Sequence, residues 1–188
     1  MQQIKYIIKY LLSLISEPEQ TWQYLSVGDV DESKPDYVHS NYYLPLMGVI
    51  AVGIFLLSGL GLEFSIEKAM KAIVRFLSSY FAGPYFAVLI LRILTKRWFS
   101  LELEEYKLQV FVYYSMSFLM LIQLFAAAFP NCRFSSISSL YLFYIIWCSA
   151  DFFKDVMEHY RWKFSTVCFF VIWAAPRIIE YLISFMIR

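Results

Sequence analysis

Charge is scarce in this chain. Asp, Glu, Lys and Arg make up 16% of its 188 residues, against about 25% in an ordinary soluble domain. The formal net charge of +1 gives no polyelectrolyte attraction, which excludes nucleic acid as a partner. Two histidines, His39 and His159, leave little acid–base machinery. Three unevenly spaced cysteines form no disulfide framework. Each reads as a small apolar packing residue, Cys148 and Cys168 inside apolar runs and Cys132 in a short loop. The sequence also has no glycine-rich nucleotide loop, zinc-type Cys/His spacing or nucleophile elbow. It therefore points to a protein that is not an enzyme, with no catalytic residues, no cofactor and no metal.

What fills the space is apolar: 60% of the residues are hydrophobic and 20% aromatic. A bilayer-crossing helix needs about 20 mostly apolar residues. Five runs approach this, at 42–62, 72–94, 108–129, 136–153 and 165–187. The second contains Arg75 and Arg92 near its ends, where snorkelling explains them, and the fourth is short and rich in serine. Within a bilayer every backbone group must find its partner inside its own element, so the runs predict helices. The expected fold is an all-α polytopic membrane protein. Residues 1–41 form an amphipathic, cytoplasmic N-terminal region and 42–188 a domain of five transmembrane helices.

Lysine and arginine near the span ends set the orientation. With the N-terminus inside, Lys5, Lys9, Lys34, Arg92, Lys96, Arg97, Lys107, Lys154, Arg161 and Lys163 lie on the cytoplasmic side. Lys68, Lys71, Arg75, Arg133 and Arg188 lie outside, and ten against five favours N-in, C-out. Aromatic residues including Tyr42, Tyr43, Tyr80, Trp98, Trp147 and Trp162 read in part as headgroup belts.

The first helix is legible in "MQQIKYIIKYLLSLIS". Ile4, Ile7, Ile8, Leu11, Leu12 and Ile15 recur at helical spacing, with Lys5, Lys9, Ser13 and Ser16 on the other face. Such a helix either lies in the membrane interface or docks on its own bundle, and both readings stand open. Next, Ser16 is a candidate N-cap and Pro18 an early helical residue, so the chain ends one helix and starts a second. Trp22 and Leu25 fall on one side of that second helix, and Pro18 and Trp22 are expected to dock it, with the indole buried. The stretch "SVGDVDESKPDYVHSN" reads as a polar loop leading to the first span.

A helix, then "PEQTW", a polar loop and five spans resembles the Yip1-domain family of integral membrane proteins, and more specifically its short bacterial members. The stretches "VFVYYSMSF" and "FPNCRFSSISSLYLFYIIW", with Pro130, Tyr141 and Tyr144, are similar to the family's third and fourth spans. The Asp-Leu-Tyr-Gly-Pro signature of eukaryotic members is absent. The resemblance implies a multi-pass protein of the bacterial inner membrane that organises membrane or partner proteins. Its partners would be the lipid bilayer and other membrane proteins or further copies of itself.

Two groups of polar residues stand out from the apolar background. Arg177 and Glu180 sit three residues apart inside the fifth span, just after Pro176. Ionisable groups in a membrane are costly and mark functional sites by default. One reading is a proton or ion relay, the other an intrahelical pair that neutralises itself. Gly83-Pro84, in the middle of the second span, predicts a kink or local break of the kind transporters use to expose backbone. Together these define a candidate intramembrane site, and with it the alternative function of a small transporter or channel. The second group is Asp151, Asp155, Glu158 and His159, spaced to share one face at the cytoplasmic end of the fourth span. Three carboxylates and an imidazole are ligand types that suit a divalent metal, and Glu102, Glu104 and Glu105 of the preceding loop could join them. Interleaving by Lys154, Arg161 and Lys163, however, makes a solvated, ion-paired helix end the ordinary explanation.

Overall fold

Apolar runs with little proline and glycine can satisfy their backbones only by coiling, and the regular elements follow that rule. The computed structural model describes residues 2–26, 31–59, 65–99, 103–129, 134–153 and 160–186, and every regular element among them is helical. Two short helices, α1 (Gln2–Ser16) and α2 (Pro18–Ser26), precede α3 (Pro35–Val38) and α4 (Leu44–Gly59). The long helices α5 (Ile66–Leu94) and α6 (Glu105–Ala128), then α7 (Phe134–Cys148) and α8 (Arg161–Met186), complete the chain.

Among the described residues four helical stretches, not five, are long and apolar enough to cross a membrane: Pro35–Ser58, Ile66–Phe99, Glu105–Ala128 and Arg161–Met186. The expected fourth span is the exception. Its helix, α7, has 15 residues and gives way at Ser149–Asp151 to a single 3-10 turn. At 1.5 Å per residue it is about 22 Å long, short of the roughly 30 Å hydrocarbon thickness.

The first span starts earlier than the apolar run implies. Between α3 and α4 the chain makes a π-helical turn at His39–Tyr43, and the Leu44 N–H bonds to the His39 carbonyl five residues back. The widened turn gives room for Pro45, whose ring would clash with the carbonyl four residues back in a regular α-helix. Helical backbone therefore runs on from Pro35 through the proline.

Pro84 is accommodated in another way. Lacking an N–H, it leaves the Tyr80 carbonyl without its usual helical donor. The Tyr43 hydroxyl donates to that carbonyl instead, at 2.8 Å. Helix α5 is consequently continuous through Gly83-Pro84, and the local break expected there does not occur.

In the bundle α5, α6, α7 and α8 pack in a ring, with α4 laid against α5 and α6. The most extensive contact joins α5 to α8. The N-terminal hairpin lies across one end. Tyr6 of α1 packs edge-on against Tyr37 and Tyr42, Tyr10 lies near Tyr114 of α6, and the Ile15 carbonyl accepts from the Tyr141 hydroxyl of α7. Helix α1 thus crosses α6 from the start of the first span to α7. Its buried stripe is Ile7, Tyr10 and Leu14, whereas Ile8 and Leu12 are 49% and 58% exposed beside exposed Lys5 and Lys9. The helix therefore docks on its bundle and presents a mixed apolar and basic face outward.

Ser16 does not cap α2. Its hydroxyl bonds back to the Leu12 carbonyl, and the Glu17 carbonyl takes up both the N–H and the hydroxyl of Thr21. Ser13 and Thr21 then bridge α1 and α2 through their hydroxyls at 2.6 Å. Trp22 is fully buried, packed against Phe111, Tyr114 and Phe152, and its indole N–H donates to the Ile145 carbonyl at 3.1 Å. Ile145 lies in the last turn of α7, where carbonyls run out of intrahelical donors. Ser149 and Arg161 serve the next two carbonyls, those of Ile146 and Trp147. Three side chains from three elements thus finish one helix end. The guanidinium is also favourably placed at the negative end of the helix dipole.

The aromatic residues divide between belt and core. Trp98 and Trp162 are 61% and 62% exposed, as interfacial anchors should be. Tyr42, Tyr43 and Tyr80 are buried instead, held by bonds and packing inside the bundle.

Candidate intramembrane cleft

Helices α5 and α8 meet at Gly83 and Pro176. A Cβ built on Gly83 would lie 3.7 Å from the Met116 sulfur of α6 and 3.7 Å from Cα and Cβ of Pro176 on α8. Gly83 therefore faces Pro176, beside the next residue Arg177, with room for a methyl group but not for a long side chain. Pro84 points away and lines a separate hollow with Arg92, Glu105 and Tyr113. At that hollow's rim Arg92 pairs with Glu105 at 2.8 Å, both largely exposed.

One turn further along, the crossing opens into a cleft of about 240 Å³. Its polar lining is Tyr80 from α5, Gln123 from α6, and Arg177 and Glu180 from α8. Its apolar walls are Leu119, Ile122 and Ala126 of α6 with Trp173 and Pro176 of α8. Measured along α8 from Arg161, the helical rise puts Arg177 about 24 Å and Glu180 about 27–29 Å away. The cleft thus lies beyond the middle of the span, in the part of the bundle away from α1 and α2.

Arg177 and Glu180 do not neutralise one another. The Arg177 guanidinium lies 4.0 Å above the centre of the Trp173 ring, one turn back, and forms no ion pair with Glu180 within 4 Å. A cation over an indole face is held by the ring quadrupole. That contact leaves the carboxylate of the half-buried Glu180 without its nearest possible counter-ion. The arrangement differs from the self-compensating pair that the i, i+3 spacing also allowed. One cation and one anion share a cleft whose remaining polar groups, an amide and a phenol, can donate and accept.

Of the predicted intramembrane residues, the fold brings Gly83, Arg177 and Glu180 together and leaves Pro84 out. Tyr80, Gln123 and Trp173 join the cleft unannounced. Gln123 is the one polar residue in the apolar stretch 118–129 of the third run, a usable signal, and Trp173 precedes Arg177 by one helical turn. Nothing in the sequence sets Tyr80 apart from the other tyrosines. Of the second group, only Asp151 falls among the described residues, in the turn after α7. Asp155, Glu158 and His159 lie outside them.

No protein-family model matches the chain, and neither a curated protein nor a solved structure matches it. The fold alone defines the class: an all-helical chain with four helices, among the described residues, suited by length and composition to a membrane.

Proposed function

We propose that this is a multi-pass membrane protein of the small transporter or channel class, which takes a small polar or ionic solute into the cleft between α5, α6 and α8. The observation that carries the reading is the cleft at Glu180, lined by Arg177 without an ion pair between them. Ionisable side chains within a membrane-spanning helix cost free energy unless they are paired or hydrated, and here they are not paired with each other. Chemistry on a covalent bond has no support in the lining residues. The test is flux in reconstituted vesicles. Glu180→Gln should abolish solute or proton movement above the lipid leak, and a rate equal to wild type would refute the reading.

A second reading is favoured by a different observation, the docked N-terminal hairpin with its outward face of Lys5, Lys9, Ile8 and Leu12. In that reading the protein is of Yip1 type and organises membrane or partner proteins from the cytoplasmic side of a bacterial inner membrane. The excess of Lys and Arg on that side supports the orientation. Photo-cross-linking from position 8 or 12 should capture a reproducible membrane-protein partner. Self-contacts or lipid adducts alone would count against it.

A further inference from the structure

We propose that the cleft is built for a small aliphatic zwitterion, a molecule with an amine and a carboxylate or phosphate a few ångströms apart. The proposal rests on the reading of the cleft as a solute site and names the chemistry of the solute. Arg177 and Glu180 sit one turn apart on α8, on the same side of the helix, and both line the same cleft. Neither makes a hydrogen bond or ion pair to another described side chain; Arg177 is exposed and lies over Trp173, Glu180 is half-buried, and both charges can meet a ligand at the cleft.

The sign of the ligand follows from that pairing of charges. An anion would gain from Arg177 and be repelled by Glu180, and a cation would meet the reverse. A neutral polar solute could hydrogen-bond to both groups but would gain neither charge–charge attraction. A molecule with both signs satisfies both: a guanidinium fork suits a carboxylate or phosphate, and a carboxylate accepts strongly from an ammonium. The rest of the wall is Leu119, Ile122 and Ala126, which matches a hydrocarbon side chain. The volume, about 240 Å³, is below the range usual for drug-sized ligands and suits something as small as an amino acid.

Two sources carry this chemistry, a free aliphatic amino acid and the ethanolamine phosphate headgroup of a lipid. The experiment is calorimetric titration of the purified full chain in detergent with leucine and with a short-chain phosphatidylethanolamine. Leucinamide and 4-methylpentanoate serve as the cation-only and anion-only analogues. Either zwitterion should bind at least tenfold more tightly than both single-charge analogues. Leucine alone binding would assign the soluble source, and the lipid alone the headgroup. Glu180→Gln should remove the preference for leucine over 4-methylpentanoate, and Arg177→Gln the preference for leucine over leucinamide. Circular dichroism and a monodisperse elution profile establish that each variant is folded, and wild-type ligand selectivity is readable without them. Equal binding of single-charge and zwitterionic ligands, or binding of none, would overturn the proposal. Zwitterion binding without flux would keep this inference and sink the transport reading. Proton flux lost in Glu180→Gln, with no zwitterion bound, would do the opposite.

Discussion

Replacing Trp22 by alanine should release the N-terminal hairpin while leaving the membrane-crossing helices folded. The indole is fully buried, touches three aromatic rings and supplies a donor to the last turn of α7. Truncating a buried tryptophan to alanine costs about 3–5 kcal/mol. At roughly 1.4 kcal/mol per tenfold, the undocked population should rise by about two to four orders of magnitude. Phenylalanine keeps most of the ring contact and loses the donor, so Trp22→Phe should cost only about 1–3 kcal/mol. Hydrogen–deuterium exchange read by mass spectrometry is the assay, because it reports local opening free energies segment by segment. Amides of α1 and α2 should lose protection strongly in Trp22→Ala and modestly in Trp22→Phe. Those of α6 and α8 should change little, since their mutual packing does not run through the indole. Equal protection of α1 and α2 in wild type and Trp22→Ala would refute the idea that Trp22 anchors the hairpin. A uniform loss across all helices would refute the separation of hairpin from bundle.

Two further substitutions probe how the bundle tolerates its helix breakers. Tyr43→Phe should destabilise by about 1–3 kcal/mol, because it strands the Tyr80 carbonyl that Pro84 leaves free. Adding Pro84→Ala to it should recover much of the loss by restoring a helical N–H, and detergent-unfolding midpoints of the two variants measure the coupling; additive effects would deny it. Gly83→Ala should be neutral or stabilising by up to about 1 kcal/mol, since the new methyl meets only ordinary contacts. Gly83→Leu should force α5 from α8 and lower the same midpoint, whereas a leucine as well tolerated as alanine would show that the helices do not close there.

Much of the architecture is legible in the amino-acid sequence. Long apolar runs with few charges leave the backbone no partner but itself, so the helices and the membrane class follow directly from composition. Hydropathy along one chain carries no information on helix length once a segment is sheltered by its neighbours. Residues 149–153 continue the fourth apolar run, yet α7 ends at Cys148, where Trp22, Ser149 and Arg161 supply its last carbonyls with donors. The buried stripe on α1 departs from the apolar spacing for a related reason. Amphipathic spacing gives a broad apolar face but not its centre, and the aromatic cluster of Tyr42 and Tyr114 draws Tyr10 inward and leaves Ile8 and Leu12 outside.

The candidate site shows the same division. Arg177 and Glu180 announce themselves because ions are rare in apolar runs, and their spacing alone puts them on one side of α8. Their partners come from elsewhere in the chain. Gly83 meets Pro176, and Tyr80 and Gln123 come to the same cleft from two other helices, because the packing of α5, α6 and α8 brings them together. Spacing allows the arginine to pair with Glu180 or to lie over Trp173, both on the same helix. In the fold it lies over the indole, which leaves a carboxylate and a guanidinium unpaired with each other at one cleft.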